Sequence, residues 1–437
     1  MRPRHLLLLL ANTLSFALWT REAHARIDLR AQLEASVAAD DSPPVAGNYE
    51  IYFDLRPQLA LTEVGPRHAL RVGYTLLAGL HPFRSNEDTL GNRLELSGLF
   101  SLSQRNTFLL TGSLLETSLA GLTLVTPTAT TTGVAAPLGT AYFVEARARA
   151  EIATEVNPLW RFSLASTFDT LRPLNSDVAS LLTTSYDVDS TLSFERSFQH
   201  DAGALRLRGD FIDYPVHHGA VALPDGTIDA NGVISPQREI FLGGITTRWR
   251  RDYGRSLSSE LEAGALAVVD LATPDKKATL VAIVPVGVAA LHYVEPGYQV
   301  NLSLSRQVQS NVFLGQTFVV NSVALMGSLP IPGAVAHFVA AASLAYQHET
   351  LVDQPGVIDA WLVDTSLFWI VRDDLQLFFR YQLIDQLADA TVATPLPSVV
   401  RNVVMLGLIG TFSTEKGAPV SFTPAVRADR TDGGALR

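Results

Sequence analysis

The chain has no cysteine among its 437 residues. No disulfide can hold it together, so its stability must come from backbone hydrogen bonds and packing alone. Basic residues are also in the minority, and the formal net charge is −10. An acidic chain is a poor partner for nucleic acid.

Long apolar runs are missing as well. After residue 25 no uninterrupted apolar run reaches the roughly 18 residues that mark a transmembrane helix, although 47% of the residues are hydrophobic. This combination argues against a helical membrane protein. The first residues differ from the rest: a basic start, an apolar stretch over 6–19 and the triplet Ala23-His24-Ala25 predict a cleaved signal peptide over 1–25.

What the chain has instead is alternation. Over 27–37, for example, the odd-numbered residues are apolar and the even-numbered ones are polar or charged. Successive side chains of a strand point to opposite faces, so this pattern predicts strands with one apolar and one polar face. The predicted strands are 27–39, 49–62, 67–81, 90–102, 107–117, 141–154, 160–170, 183–198, 204–214, 237–250, 256–271, 279–294, 298–305, 317–328, 334–346, 357–371, 375–386 and 398–412.

These strands are joined by alternately short and long connections, which is typical of a transmembrane barrel with lipid outside and water inside. We therefore predict an all-β fold, a single closed antiparallel barrel of about 18 strands over 26–412, followed by a polar periplasmic tail over 413–437. Sixteen strands are the alternative, since 298–305 is short and two other segments are apolar on both faces. Pro285 in 279–294 cannot donate to a ladder, which predicts a bulge there.

The charged faces predict a polar lumen, and the tryptophans predict an interfacial girdle. Trp361 and Trp369 are eight residues apart on one face, or about 20 Å in height at the usual strand tilt. Buried core aromatics are the alternative. The predicted girdle is Trp160, Trp249, Trp361 and Trp369. The predicted lumen-lining residues, which could serve as wall ion pairs or as a polar surface for solute, are Arg147, Arg149, Glu151, Arg206, Arg208, Asp210, Glu260, Glu262 and Asp270.

The last predicted strand alternates over 399–412 and closes on the aromatic Phe412. In this it resembles the assembly-signal strand of the porin-like, Gram-negative outer-membrane β-barrel superfamily, although in that family the aromatic usually ends the chain. The resemblance implies the outer membrane as location, with its lipid bilayer and the barrel assembly machinery as partners.

Three functions are compatible with such a barrel. A weaker resemblance, which rests on size and architecture, links the chain to barrels of exopolysaccharide export, and it implies periplasmic polysaccharide-export proteins as partners. That function is preferred narrowly over a general or sugar-selective diffusion porin. A plugged barrel that acts as an assembly scaffold or surface adhesin is the third.

The sequence contains no P-loop, GxSxG, HExxH or Cys/His metal-binding motif, so we predict no enzyme, no catalytic residues, no metal and no cofactor. The pair His217-His218 lies in a predicted external loop and is expected to be solvated. Asp187 and Asp189 share a polar face with Glu195, where lumenal charge facing water is favoured over calcium. The uncharged loop 118–140 is predicted to fold inward and narrow the pore, with an outward cap as the alternative.

Overall fold

Long strands fill most of the chain in the computed structural model. The structure describes residues 26–41, 50–82, 88–118, 142–174, 184–222, 228–235, 237–271, 277–311, 316–331, 337–352, 355–389 and 398–414. The signal peptide predicted over 1–25 and most of the tail predicted over 413–437 lie outside these ranges. Within them, no helix is long and apolar enough to cross a membrane.

Twenty strands lie in the described ranges. They are β1 (Arg26–Asp40), β2 (Glu50–Val64), β3 (His68–Leu80), β4 (Thr89–Ser101), β5 (Asn106–Ser118), β6 (Tyr142–Asn157), β7 (Trp160–Pro173), β8 (Ser185–Ser197), β9 (Asp201–Tyr214), β10 (His217–Ala222), β11 (Ile228–Ser235), β12 (Arg238–Asp252), β13 (Leu257–Asp270), β14 (Thr279–Glu295), β15 (Tyr298–Asn311), β16 (Gln316–Pro330), β17 (Phe338–Leu351), β18 (Val357–Arg372), β19 (Leu375–Ala388) and β20 (Val399–Ser413).

Eighteen of these strands form one antiparallel sheet that closes on itself. Each strand pairs with the next along the chain, except that β9 pairs with β12 while β10 and β11 form a separate hairpin. β1 pairs with both β2 and β20, which completes the ring. Because a closed sheet has no free edge, neighbouring strands can satisfy the backbone groups of the whole wall. The predicted closed barrel of 18 strands is confirmed.

The two rims of the barrel differ. Strands β2, β4, β6, β8, β12, β14 and β18 are followed by turns of two to four residues, and β16 by the connection 331–337. We call this rim the turn side and the opposite rim the loop side. The first and last strands meet near the turn side, where Arg30 pairs with Ser413. The shorter connections on the loop side follow β15 and β17, which extend past their predicted ends to Asn311 and Leu351.

Two departures from the predicted strands have different causes. β15 was expected to end at 305, but polar residues crowd its second half, 306–311, so the alternation is lost although the strand continues. The hairpin of β10 and β11 was not predicted at all because its strands are short. His217 and His218 begin β10 rather than lying in an irregular loop, and their side chains lie outside the described residues.

The two faces of the wall differ in exposure as the alternation predicts. In β1, Ile27, Leu33 and Val37 are exposed, whereas Ala38 and Asp40 on the other face are buried. The same contrast recurs around the barrel, with large apolar side chains on the exposed face. An apolar outer band around a closed sheet is what a lipid environment requires.

The wall is irregular along β14. The sequence predicted a bulge at Pro285, but the extra residue is Val281, because Val268 pairs with Ala282 and Val269 with Leu280. On its other side β14 pairs with β15 only from Gly287 to Glu295. The ladder therefore stops just before it reaches Pro285, which has no N–H with which to extend it.

Candidate functional site: the barrel lumen

The lumenal face is identified by side chains that meet across an intervening strand. Arg206 of β9 lies 2.8 Å from Glu262 of β13, although β12 runs between these strands. Thr246 of β12 donates to the same carboxylate at 2.6 Å. Side chains from three successive strands converge in this way on the concave side of a curved sheet. The residues on this face therefore line the lumen.

The structure joins the predicted charged residues of β6 to acids and bases of their neighbours. Arg147 lies 3.7 Å from Asp169 of β7. Glu151 accepts from Arg149 at 3.0 Å and lies 3.7 Å from Arg161 of β7. Each of these predicted charges is thus at least partly neutralised by a neighbour on the same face.

The remaining predicted residues belong to a second group of ion pairs on β8 to β13. Arg208 lies 2.8 Å from Asp189 and 3.9 Å from Asp210. Glu260 lies 2.5 Å from Arg248, and Asp270 lies 4.0 Å from Arg238. With the contact between Arg206 and Glu262, these pairs form a band of alternating charge across the wall. The acidic face once considered for calcium is part of this band through Asp189.

Several pairing partners escaped the sequence analysis. Besides Arg248 and Asp169 they include Asp364, which binds Arg380, and Asp40, which binds Arg401. All of them occupy the polar positions of alternating segments, so the period of two could have placed them on the lumenal face. It could not have said which acid meets which base, since that depends on register.

The wall next to this band, from β14 to β16, is uncharged over most of its lumenal face. The lumenal positions of β14 to β16 hold small or neutral side chains, namely Ala282, Val284, Val286, Val288 and Ala290, then Asn301, Ser303, Ser305 and Gln307, then Ser322, Ala324, Met326 and Ser328. Ser305 and Ser322 are hydrogen-bonded at 2.7 Å. The lumen therefore has paired charges from β6 round to β13 and again at β18, β19, β20 and β1. Between these two parts, β14 to β16 present hydroxyl, amide and small apolar groups.

On the loop side the lumenal side chains are buried all around the barrel. None of the following is more than 7% exposed: Ala38, Tyr52, Thr117, Phe143, Leu171, Ile212, Ile240, Val268, Phe318, Ile358 and Arg401. Nearer the middle of the barrel, Arg147 and Asp169 keep 40% and 32% of their side-chain surface. A barrel of this many strands can enclose an aqueous channel, and side chains facing an open channel would be exposed. The lumen is therefore narrowed on the loop side.

Part of this narrowing comes from the hairpin of β15 and β16. Val308 and Val319 pair with each other near its loop-side end and follow the outer-face positions of their strands. They are nevertheless buried, in one cluster with lumenal residues such as Val284 and Leu266. The end of this hairpin thus packs on the lumenal side of β14, which accounts for the apolar lumenal face of that strand. The loop predicted to narrow the pore lies outside the described residues, so its inward fold stays a prediction.

The predicted girdle residues all lie on the outer face, 39–46% exposed. Trp160, Trp249 and Trp369 lie towards the turn side, and Trp361 lies towards the loop side. Phe412 is 65% exposed, and it pairs with Ala31 of β1. These positions suit an interfacial role, which stays a prediction, as does the part of Phe412 in assembly.

Comparison with known proteins gives likeness of fold only. No protein-family model matches the chain, and no curated protein matches it. Among solved structures, OccK2 (OpdF) of Pseudomonas aeruginosa, in complex with glucuronate, is 8% identical and has a TM-score of 0.45, with 90% of this chain and 98% of that chain covered. OccK9 (OpdG) of the same organism is 11% identical with a TM-score of 0.43 (88% and 98% covered), and OccAB3 of Acinetobacter baumannii is 10% identical with a TM-score of 0.42 (89% and 99%).

The assignment therefore rests on the molecule itself. The chain is a closed β-barrel of the outer-membrane type, with an apolar outer face and a polar lumen. The described residues hold no group of three or more His, Asp or Glu side chains placed to bind a metal. That the chain is not an enzyme stays a prediction.

Proposed function

We propose that this barrel is a diffusion channel for small hydrophilic solutes, sugars included, in the outer membrane of a Gram-negative bacterium. The observation that carries this is the division of its wall into an apolar outer face and a lumen lined by paired charges, with a stretch of hydroxyl and amide groups on β15 and β16. A lumen of this kind solvates polar solutes along its length, and a closed barrel keeps them apart from lipid.

The pairing of the lumenal charges indicates what such a channel would select. Arg206 meets Glu262 and Arg208 meets Asp189, so these pairs present little net charge of their own to repel or concentrate ions of one sign. Neutral solutes gain most from such a wall, because the serine, asparagine and glutamine side chains of β15 and β16 can exchange hydrogen bonds with hydroxyl groups.

Export of an exopolysaccharide, preferred from the sequence, gains no support. A hydrated polymer needs an open path at every level, whereas the lumenal side chains on the loop side are buried around the ring. The periplasmic polysaccharide-export proteins expected with that function are equally without support. The alternative of a diffusion porin fits the lumen better.

Reconstitution into liposomes tests the proposal. Swelling rates should be measured in isotonic mono-, di- and tetrasaccharides, with conductance recorded in planar bilayers. We expect measurable conductance with weak ion selectivity, and swelling rates that fall steeply with sugar size. A barrel without conductance would be a plugged scaffold. If tetrasaccharides and longer oligosaccharides permeated as fast as monosaccharides, the hypothesis of polymer export would be favoured instead.

A further inference from the structure

The interrupted ladder between β14 and β15 leaves an opening in the barrel wall. A cavity of about 550 Å³ lies there. Its lining includes Val286 and Ser305 from the lumenal face and Pro285 and Leu304 from the outer face. Residues of both faces thus contribute to this cavity, at the place where the ladder no longer joins β14 and β15.

Pro285 keeps this opening from closing. Arg306 Nε donates to the carbonyl oxygen of Pro285 at 3.1 Å, so that carbonyl points towards β15. In a strand the nitrogen of the same residue points the same way, and a proline nitrogen carries no hydrogen. The ladder bond that residue 285 would donate to β15 therefore cannot form. The hydrogen bond from the Arg306 side chain takes its place, and a flexible side chain constrains the distance between the two strands less than a backbone bond does.

Arg306 brings a positive charge to the outer face at this opening. Its contacts are neutral, to the Pro285 carbonyl and to Asn321 Oδ1 at 2.8 Å. No acid lies within ion-pairing distance of it in the described part of the chain, and the carboxylate of Glu262, a residue that also lines this cavity, is bound to Arg206 and Thr246. A guanidinium has five donors, of which these contacts use two. Such a group at a lipid-facing surface is stabilised by an anion from outside the chain.

The position of Arg306 along the membrane normal indicates which part of the bilayer it contacts. It lies eight residues from Tyr298 at the turn side, which is about 20 Å along the membrane normal. The apolar band of such barrels is about 25 Å tall, so Arg306 lies near the head groups of the loop-side leaflet. Towards the turn side the same face continues with exposed apolar side chains, namely Leu302, Leu304, Val323 and Leu325.

We propose that this wall opening binds an amphipathic anion from the membrane, with its carboxylate or phosphate head on Arg306 and its tail along the apolar strip below. The hydroxyl groups of Ser305 and Ser322 stand behind it on the lumenal side, so the site is placed for passage of such a molecule between lumen and leaflet. Diffusion of sugars through the lumen does not need this opening. The test below reads binding and does not depend on conductance.

Binding is measured by titrating the purified barrel, in a neutral detergent, with a fluorescent twelve-carbon fatty acid. Arg306→Gln should weaken binding by about ten- to a hundredfold, the usual range for a lost charge-assisted contact. Arg306→Lys should retain most of it. The matched control is Arg251→Gln, because Arg251 is an exposed arginine on the outer face at the opposite rim. Heat-modifiability on gels confirms that each variant is folded.

Competition separates the possible sources of the anion. Dodecyl phosphate should displace the probe, whereas inorganic phosphate, acetate and dodecyltrimethylammonium should not. If inorganic phosphate displaced the probe at a concentration similar to that of dodecyl phosphate, the site would bind free anions, and the claim that its ligand is amphipathic would be overturned. Equal displacement by the cationic amphipath would overturn the role of Arg306, as would equal losses in Arg306→Gln and Arg251→Gln.

Pro285→Val tests the opening itself. Valine supplies the missing N–H, so we expect the ladder to extend, the opening to narrow and the affinity for the probe to fall. Unchanged affinity in this variant, with Arg306 intact, would place binding on the outer surface and overturn the claim that the ligand enters the wall.

Discussion

The ion pair between Asp40 and Arg401 gives the sharpest test of how this barrel is held closed. These residues lie at the loop-side ends of β1 and β20, the first and last strands. Arg401 Nε donates to both carboxylate oxygens, at 3.2 and 3.0 Å, and its Nη2 makes a further bond to Asp40. The side chains are only 8% and 5% exposed. Asp40→Asn would therefore remove the acid that makes these bonds to a buried guanidinium.

Removal of one partner of a buried pair typically costs about 3–5 kcal/mol, because the remaining charge stays desolvated. We expect Asp40→Asn to lower the free energy of unfolding by this amount. The matched control is Asp374→Asn, whose partner Arg372 lies 3.2 Å away in a turn, with side chains 57% and 68% exposed. Exposed pairs contribute about 0–1 kcal/mol.

The assay is urea unfolding of the barrel in lipid vesicles, followed by tryptophan fluorescence and by heat-modifiability. The double variant Asp40→Leu with Arg401→Met should recover most of the loss, since replacing both charges removes the desolvation cost. If Asp40→Asn is no more destabilising than Asp374→Asn, the pair does not stabilise the closure, and the reasoning fails.

Four further outcomes are expected. Glu262→Gln should release the charge of Arg206 and shift the reversal potential in a salt gradient towards anion selectivity, whereas Asp374→Asn should not. Gly264→Ala should cost about 1–3 kcal/mol, because its Cβ would lie 2.1 Å from a backbone oxygen, whereas Gly203→Ala meets nothing within 4 Å; urea unfolding distinguishes them. Phe412→Ala should lower the level of folded barrel in outer membranes while refolding from urea stays unchanged, if that residue acts in assembly. Deletion of 121–137 should raise single-channel conductance without preventing assembly, and equal conductance would contradict an inward loop.

For most strand residues the sequence alone determined which of the two faces they occupy, although Val308 and Val319 pack inward from outer-face positions. The direction of a side chain in a strand alternates from one residue to the next, so the period of two is a local property that needs no knowledge of neighbours. Ile27 and Val37 could therefore be assigned to one face, and Ser36 to the other. The number of strands followed from the turns between them.

Tertiary structure decided everything that depends on register. Asp40 and Arg401 are joined only because the first and last strands pair, and Arg206 reaches Glu262 only because β12 brings β9 and β13 together. The early end of the ladder at Gly287 depends likewise on how β14 meets β15. Pro285 predicted an irregularity in its strand. The opening in the wall, however, arises because two strands separate. A pattern within one strand does not show the distance to its neighbour.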